Sequence, residues 1–159
     1  NKQILERELK QEFKAVRLMK NYQYLRQWMQ ALIDYLTGQQ PWPLLPYDVQ
    51  ATAFQRRVWD WLRTIPVGTT YNYAQAAKAI GQPAAARALA SACAVNPVAL
   101  VIPCHRIIPK SGGVGGYRWS PHRKKLLLKL NCKIAIAQKI QKSGICRIFV
   151  LEKSIFCTI

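Results

Sequence analysis

The chain has 159 residues, of which 50% are hydrophobic; that suffices for one ordinary core, or a small domain leaning on a main one, and excludes disorder throughout. Its 24 Lys and Arg face 7 Asp and Glu, and the formal charge of +17 points to polyanionic partners, nucleic acid above all, or to a merely solvated basic surface, which charge alone does not separate. No apolar run of the roughly 18 residues needed to span a membrane is present, and no secretory leader is visible.

In chain order, Asn1 to Lys20 sets Ile4, Leu5, Leu9, Phe13, Val16 and Leu18 among charges, at helical spacing first and then in strand-like alternation. The start at Asn1 rather than Met suggests processing, or a piece of a longer polypeptide. Tyr22 to Thr37 predicts an amphipathic helix on Leu25, Trp28, Met29, Leu32, Ile33 and Leu36, stopped by Gly38. The prolines of Gly38 to Pro46, GQQPWPLLP, permit only an extended linker. Thr52 is the expected N-cap of a helix from Ala53 to Ile65, whose stripe of Phe54, Val58, Trp59, Leu62 and Ile65 leaves Arg56, Arg57 and Arg63 to solvent or phosphate. Thr70 is expected to cap a short helix, Tyr73 to Ile80, closed by Gly81, and Pro83 to open another over Ala84 to Ala94. Helix, glycine-bearing turn, helix is the helix-turn-helix layout. The second helix, AAARALASACA, is made of small residues, which suit close approach to a groove wall and equally suit tight helix packing. Its lone Arg87 favours insertion into DNA.

Val98 to Ile102 reads as a buried strand leading into Pro103-Cys104-His105-Arg106, followed by a glycine-rich loop to Tyr117. A basic helix is predicted from Arg123 to Leu130, with Leu126, Leu127 and Leu130 facing inwards. Beyond Asn131 the sequence lacks a period and is expected to form a poorly packed or accessory extension. The five cysteines, Cys93, Cys104, Cys132, Cys146 and Cys157, contain no CxxC pair, and His105 and His122 are the only histidines. A disulfide framework or zinc knuckle is therefore not expected; free thiols in a reducing compartment are, with no metal or cofactor.

A thiol of pKa about 8.5 is only a few per cent thiolate at neutral pH, so a reactive cysteine needs a neighbouring base or positive field. Neighbours on an extended segment point to opposite sides, so proton transfer from Cys104 to His105 would need a turn or a bridging water. By itself such a dipeptide is more often core packing than catalysis.

The stretch Asn96 to Tyr117, NPVALVIPCHRIIPKSGGVGGY, closely resembles the active-site signature of the O6-alkylguanine-DNA alkyltransferases, suicide repair proteins that move an alkyl group from guanine O6 to their own cysteine. The similarity runs from about Tyr47 to Leu130 and takes in FQRRVWDWLRTIPVGTTYNYAQAAKAIG and AAARALASACAVNP. Leu9 to Pro46 is more weakly similar to the N-terminal subdomain of the bacterial adaptive-response alkyltransferase. The resemblance implies that Cys104 is the alkyl acceptor and His105 the water-mediated base that keeps it thiolate. It implies that Arg87 enters the base stack in place of the flipped nucleotide, with Ala86, Ala88 and Ser91 beside it on the DNA. Tyr73 would crowd the adjacent phosphate and donate a proton to the leaving guanine. Asn96 would be a structural amide, Arg106 a supporting residue, and Lys124 a group polarising Tyr73. Val114, Gly115, Gly116, Tyr117, Arg118 and Trp119 would form the guanine pocket.

Two positions depart from the family pattern. A glutamate that orients the histidine follows the pocket tyrosine by fourteen residues; counted from Tyr117 that position is Asn131. An amide can hold the ring, as in Cys-His-Asn enzymes, yet cannot neutralise an imidazolium, so a less acidic Cys104 and slower transfer are expected. Arg118 and Trp119 stand where some relatives have small residues, so large rings should fit poorly.

The expected architecture is α+β: a small N-terminal α/β subdomain with its Pro-rich linker over 1–46, a mainly helical domain with a winged-helix-like helix-turn-helix over 47–131, and an extension of unassigned role over 132–159. The expected activity is stoichiometric, irreversible transfer of a methyl or alkyl group to Cys104 from O6-alkylguanine, and from O4-alkylthymine, in double-stranded DNA. The alternative, prompted by Asn131, is a module that grips alkylated DNA and transfers nothing. A Cys-His hydrolase draws no support from the charge or the small-residue helix. A monomer in the bacterial cytoplasm, associated with the nucleoid and with no membrane partner, is expected.

Overall fold

The helical spacing at the start of the chain is realised as α1 (Lys2–Glu12) and that from Tyr22 as α2 (Tyr22–Leu36), which Asn21 caps by accepting from the Tyr24 amide at 2.9 Å. This computed structural model describes residues 2–12, 17, 19, 21–40, 43, 45 and 47–143. Most of the strand-like alternation before Lys20, much of the proline-rich segment, and everything from residue 144, with Cys146 and Cys157, lie outside the described residues. The described part of 1–46 holds these two helices and no strand, and the sheet that makes the fold α+β lies within 47–131.

Two reciprocal caps set the central helices. The Thr52 hydroxyl accepts from the Gln55 amide at 3.2 Å while the Gln55 side chain accepts from the Thr52 amide at 2.9 Å, and α3 (Ala53–Thr64) follows. Tyr71–Asn72 forms the short strand β1, and Asn72 then exchanges 2.9 Å bonds with Gln75 to start α4 (Tyr73–Ala79). The expected cap at Thr70 is thus corrected to Asn72, because Thr70 lies one residue before the strand and Asn72 is the residue three before a glutamine. A single 3₁₀ turn over Pro83–Ala85 precedes α5 (Ala86–Ala94), so the second helix of the pair begins later than Ala84.

Val58 and Leu62 of α3, Leu89 of α5, Ala76 and Ala77 of α4, and Ile102 and Ile107 are fully buried together. The Trp59 indole N–H donates to Ala92 O at 3.0 Å and fixes α3 against α5. From α5 the chain curls back and lays β2 (Ile107–Ile108) parallel to β1, Tyr71 opposite Ile107. That pairing delivers Cys104–Arg106, one 3₁₀ turn, to the centre of the core.

The strand expected over Val98 to Ile102 is a series of turns instead. Its backbone bonds close locally, Ile102 N to Val98 O at 3.1 Å and Val101 N to Ala99 O at 2.9 Å, and Leu100 sits at φ 71. The run is apolar because Val101 and Ile102 are buried, not because it pairs with a neighbour.

The last helix also differs from expectation. α6 (Pro121–Ser143) continues straight through Asn131, so the first part of the supposed extension belongs to the fold. Leu128 and Ile134 turn inwards while Leu126 is 53% exposed, which corrects its inward placement. Gly68, at φ +82, makes the close packing of this helix possible, since a Cβ there would collide with the Ala135 side chain.

Candidate active site

Cys104 is buried at 3% exposure on the 3₁₀ turn. The Asn96 side-chain amide organises its approach: Nδ2 donates to Ile102 O at 2.9 Å and to Cys104 Sγ at 3.0 Å, and Oδ1 accepts from Val98 N at 3.0 Å. Asn96 therefore holds the preceding turn and touches the sulfur as well, a contact that a purely structural reading of it had missed. Burial pushes the Cys104 thiol above its ordinary range, while the Asn96 hydrogen bond and the Lys124 charge pull it back. Cys93 is pushed up to about 12 by burial and by the nearby Cys104.

Lys124, 1% exposed, donates from Nζ to Ile107 O at 2.6 Å and to Gly116 O at 3.3 Å. Its bonds go to these carbonyls of β2 and the glycine loop, in place of the expected partner Tyr73. Its charge acts on the two thiols.

His105 is also buried, and burial together with the charges of Arg106 and Lys124 pulls its pKa down to about 3. The imidazole is neutral at any physiological pH. Asn131 Nδ2 lies 2.6 Å from His105 Nε2, and Nδ1 is buried without a hydrogen-bond partner among the described residues. Arg106 completes this side. Its guanidinium donates to Ile65 O through one terminal nitrogen and, through the other, to Tyr35 Oη at 3.1 Å and Asn131 Oδ1 at 3.2 Å. The Tyr35 hydroxyl donates in turn to Asn131 Oδ1 at 3.4 Å. Tyr35, 3% exposed and carried by α2, escaped the sequence reading because its partners are 71 and 96 residues away.

Tyr73 opens α4 half-buried, with its phenol pushed up by desolvation and by Cys93 and Cys104, so it keeps its proton. Arg87, Ala88 and Ser91 lie exposed on the outer face of α5 with Ala86 half-covered beside them. The Ser91 hydroxyl donates to the Arg87 backbone carbonyl at 3.2 Å, and the Arg87 side chain is exposed.

In the glycine loop, Gly115 sits at φ +66 where a Cβ would strike the Pro109 ring. Val114 and Tyr117 are half-buried and Gly116 exposed. Arg118 donates to Val95 O at 3.2 Å, at the C-terminal end of α5, and its guanidinium lies 5.2 Å from the centre of the Trp119 ring. The Tyr117 hydroxyl and the Trp119 indole N–H are shielded from solvent without a partner among the described residues. No group of three or more His, Cys, Asp and Glu side chains able to hold a metal ion occurs among the described residues.

A model of the 6-O-methylguanine DNA methyltransferase DNA-binding domain matches residues 53–132. The bifunctional transcriptional activator/DNA repair enzyme Ada of Escherichia coli is 55% identical over 85 residues, which are 54% of this chain and 24% of that protein. A methylated-DNA–protein-cysteine methyltransferase of Shigella flexneri is 46% identical over 85 residues, 54% of this chain and 50% of its own length. The chain thus matches a quarter of the first relative and half of the second. The crystal structure of the Mycobacterium tuberculosis O6-methylguanine methyltransferase is similar with a TM-score of 0.62 at 41% identity, covering 66% of this chain and 64% of that one. The Mycobacterium tuberculosis OGT in complex with DNA gives 0.63 at 40% identity, covering 67% and 66%.

Proposed function

This chain belongs to the 6-O-methylguanine DNA methyltransferase family, and from that premise we propose that it repairs DNA by moving a methyl or alkyl group from guanine O6 irreversibly onto Cys104. The observation that carries the reading is the seat of the sulfur: Cys104 Sγ lies 3.0 Å from the Asn96 amide nitrogen, within the field of Lys124. Sequence resemblance adds O4-alkylthymine as a second substrate.

A base stacked in a duplex cannot offer O6 to a thiol in line, so the nucleotide must turn out, at a cost of a few kcal/mol that a damaged pair lowers. Arg87, outward on small-residue α5, is the group to fill the gap, with Ala86, Ala88 and Ser91 lying along the groove. Gly115, Gly116, Tyr117 and Trp119 receive the base, and the Tyr117 hydroxyl and Trp119 N–H, buried without a partner among the described residues, are the donors it would reach as it enters. The thiolate electron pair attacks the alkyl carbon, and the S–C bond forms as the C–O6 bond breaks. Guanine keeps that pair and takes a proton, for which Tyr73, still a phenol, is the positioned acid. Tyr73 is then reprotonated by the proton that Cys104 released to solvent, so the net change is a thioether on Cys104 and a guanine with one proton more. A thioether does not hydrolyse, so each molecule acts once.

The +17 charge suits double-stranded DNA as partner, and the protein works as a monomer in the cytoplasm at the nucleoid. Residues 47–131 form the reacting unit, to which α6 adds residues through Ser143. Incubation with duplex containing O6-methylguanine, followed by intact mass, is expected to add one methyl group per chain, on Cys104. Tight binding without a mass change would replace this reading with a lesion-binding module.

A further inference from the structure

The two nitrogens of a neutral imidazole differ: one donates, the other accepts, and its neighbours decide which. The orientation of a side-chain amide is likewise assigned from its hydrogen-bond network. Asn131 Oδ1 receives hydrogen bonds from Arg106 at 3.2 Å and from the Tyr35 hydroxyl at 3.4 Å. Turning the amide over would set its NH2 against a guanidinium that can only donate. The Tyr35 hydroxyl, which takes a hydrogen bond from the same guanidinium nitrogen at 3.1 Å, could turn to accept from the flipped amide, but the donor-to-donor contact with Arg106 would remain. Nδ2 is therefore held toward His105 Nε2 at 2.6 Å, and Nε2 must accept.

We propose that Tyr35 and Arg106, acting through Asn131, fix His105 as the tautomer protonated at Nδ1, so that His105 presents an N–H rather than a lone pair to any water it shares with Cys104. Resting on the reading of Cys104 as alkyl acceptor, it makes His105 a hydrogen-bond donor to the thiolate rather than the base that creates it. A protonated ring is excluded on the same geometry, since an Nε2–H would face the Asn131 NH2. Burial and the charges of Arg106 and Lys124 keep the ring neutral for an independent reason. A carboxylate at position 131 would reverse the assignment, because it accepts from Arg106, Tyr35 and Nε2–H alike and leaves the Nδ1 lone pair free. Tyr35, Arg106 and Asn131 are thus positioning residues whose effect is the placement of one proton.

The test is ¹⁵N NMR of the His105 ring in the full chain, which distinguishes a protonated from an unprotonated nitrogen without reference to activity. Wild type is expected to show Nδ1 protonated and Nε2 bare; the opposite pattern, or rapid exchange between the two, overturns the proposal. Asn131→Glu is expected to invert the pattern, and an unchanged Nδ1–H in that variant overturns the role of the amide. Transfer by Asn131→Glu, followed by mass, is expected to be faster by on the order of tenfold, below the roughly hundredfold or more that a fully effective general base contributes; equal rates would show that the tautomer does not limit the chemistry. Absence of methyl uptake in both proteins, with the NMR pattern as expected, would reject Cys104 as acceptor and leave the tautomer assignment standing.

Discussion

Two buried asparagines flank the site, and they use one device to different ends. Asn96 is locked by Val98 N and by one amide hydrogen on Ile102 O, and it points the other at Cys104 Sγ. Asn131 is locked by Arg106 and Tyr35 and points its amide hydrogens at His105 Nε2. A donor aimed at sulfur favours the thiolate, because hydrogen bonding to a charged form stabilises that form. A donor aimed at imidazole occupies a lone pair and disfavours the imidazolium. The same functional group therefore raises the reactivity of one partner and lowers the basicity of the other, and what decides is which atom already carries a proton.

The largest expected effect falls on the sulfur side. Asn96→Leu removes the partners of a buried N–H and a buried C=O, each worth about 1–3 kcal/mol when orphaned, and is expected to lower stability by roughly 2–4 kcal/mol in urea titration while slowing methyl uptake. A loss under about 1 kcal/mol would mean that the turn does not depend on that amide.

The two sides should also fail at opposite ends of the pH scale. His105 has a folded pKa depressed from 6.5 to about 3, so its contribution is present above 6.5 and is lost as pH falls toward 3, at about 1.4 kcal/mol per pH unit. Cys104 and Cys93 are raised from 9.0, so theirs is present below 9.0 and is lost as pH rises. Stability measured against pH should lose its acid limb in His105→Gln and part of its alkaline limb in Cys93→Ala. An acid limb unchanged in His105→Gln would place the acid-sensitive group elsewhere.

Arg87→Ala touches neither amide and serves as the control. Repair of duplex is expected to fall by about tenfold, or about 1.4 kcal/mol, with reaction toward free O6-methylguanine unchanged. Equal losses on both substrates would tie Arg87 to the chemistry rather than to opening the duplex.

Much of this arrangement was legible locally. Thr52 three residues before Gln55 marks a capping box, and the PCHR segment with its glycine loop marks the site. The errors arose where a residue's partner is distant or where its backbone obeys a side chain. Val98 to Ile102 looks like a strand because it is apolar, yet it wraps around Asn96 and satisfies its backbone there. Tyr35 looks like one more aromatic of an amphipathic helix, and only folding brings it to Arg106. The tail after Asn131 shows no obvious period, because α6 buries a thin face of Leu128, Asn131 and Ile134 that basic and polar residues interrupt in sequence.

That helix carries a further consequence. Lys124, which holds the glycine loop at Gly116 O and β2 at Ile107 O, and Asn131, which meets His105, ride on one rod about two turns apart and hence on nearly the same face. Inserting or deleting a single residue between them would swing Asn131 by about 100° around the axis. The length of the segment between them is thus as much a part of the site as either side chain, and a one-residue insertion there should cost more than a substitution at 131.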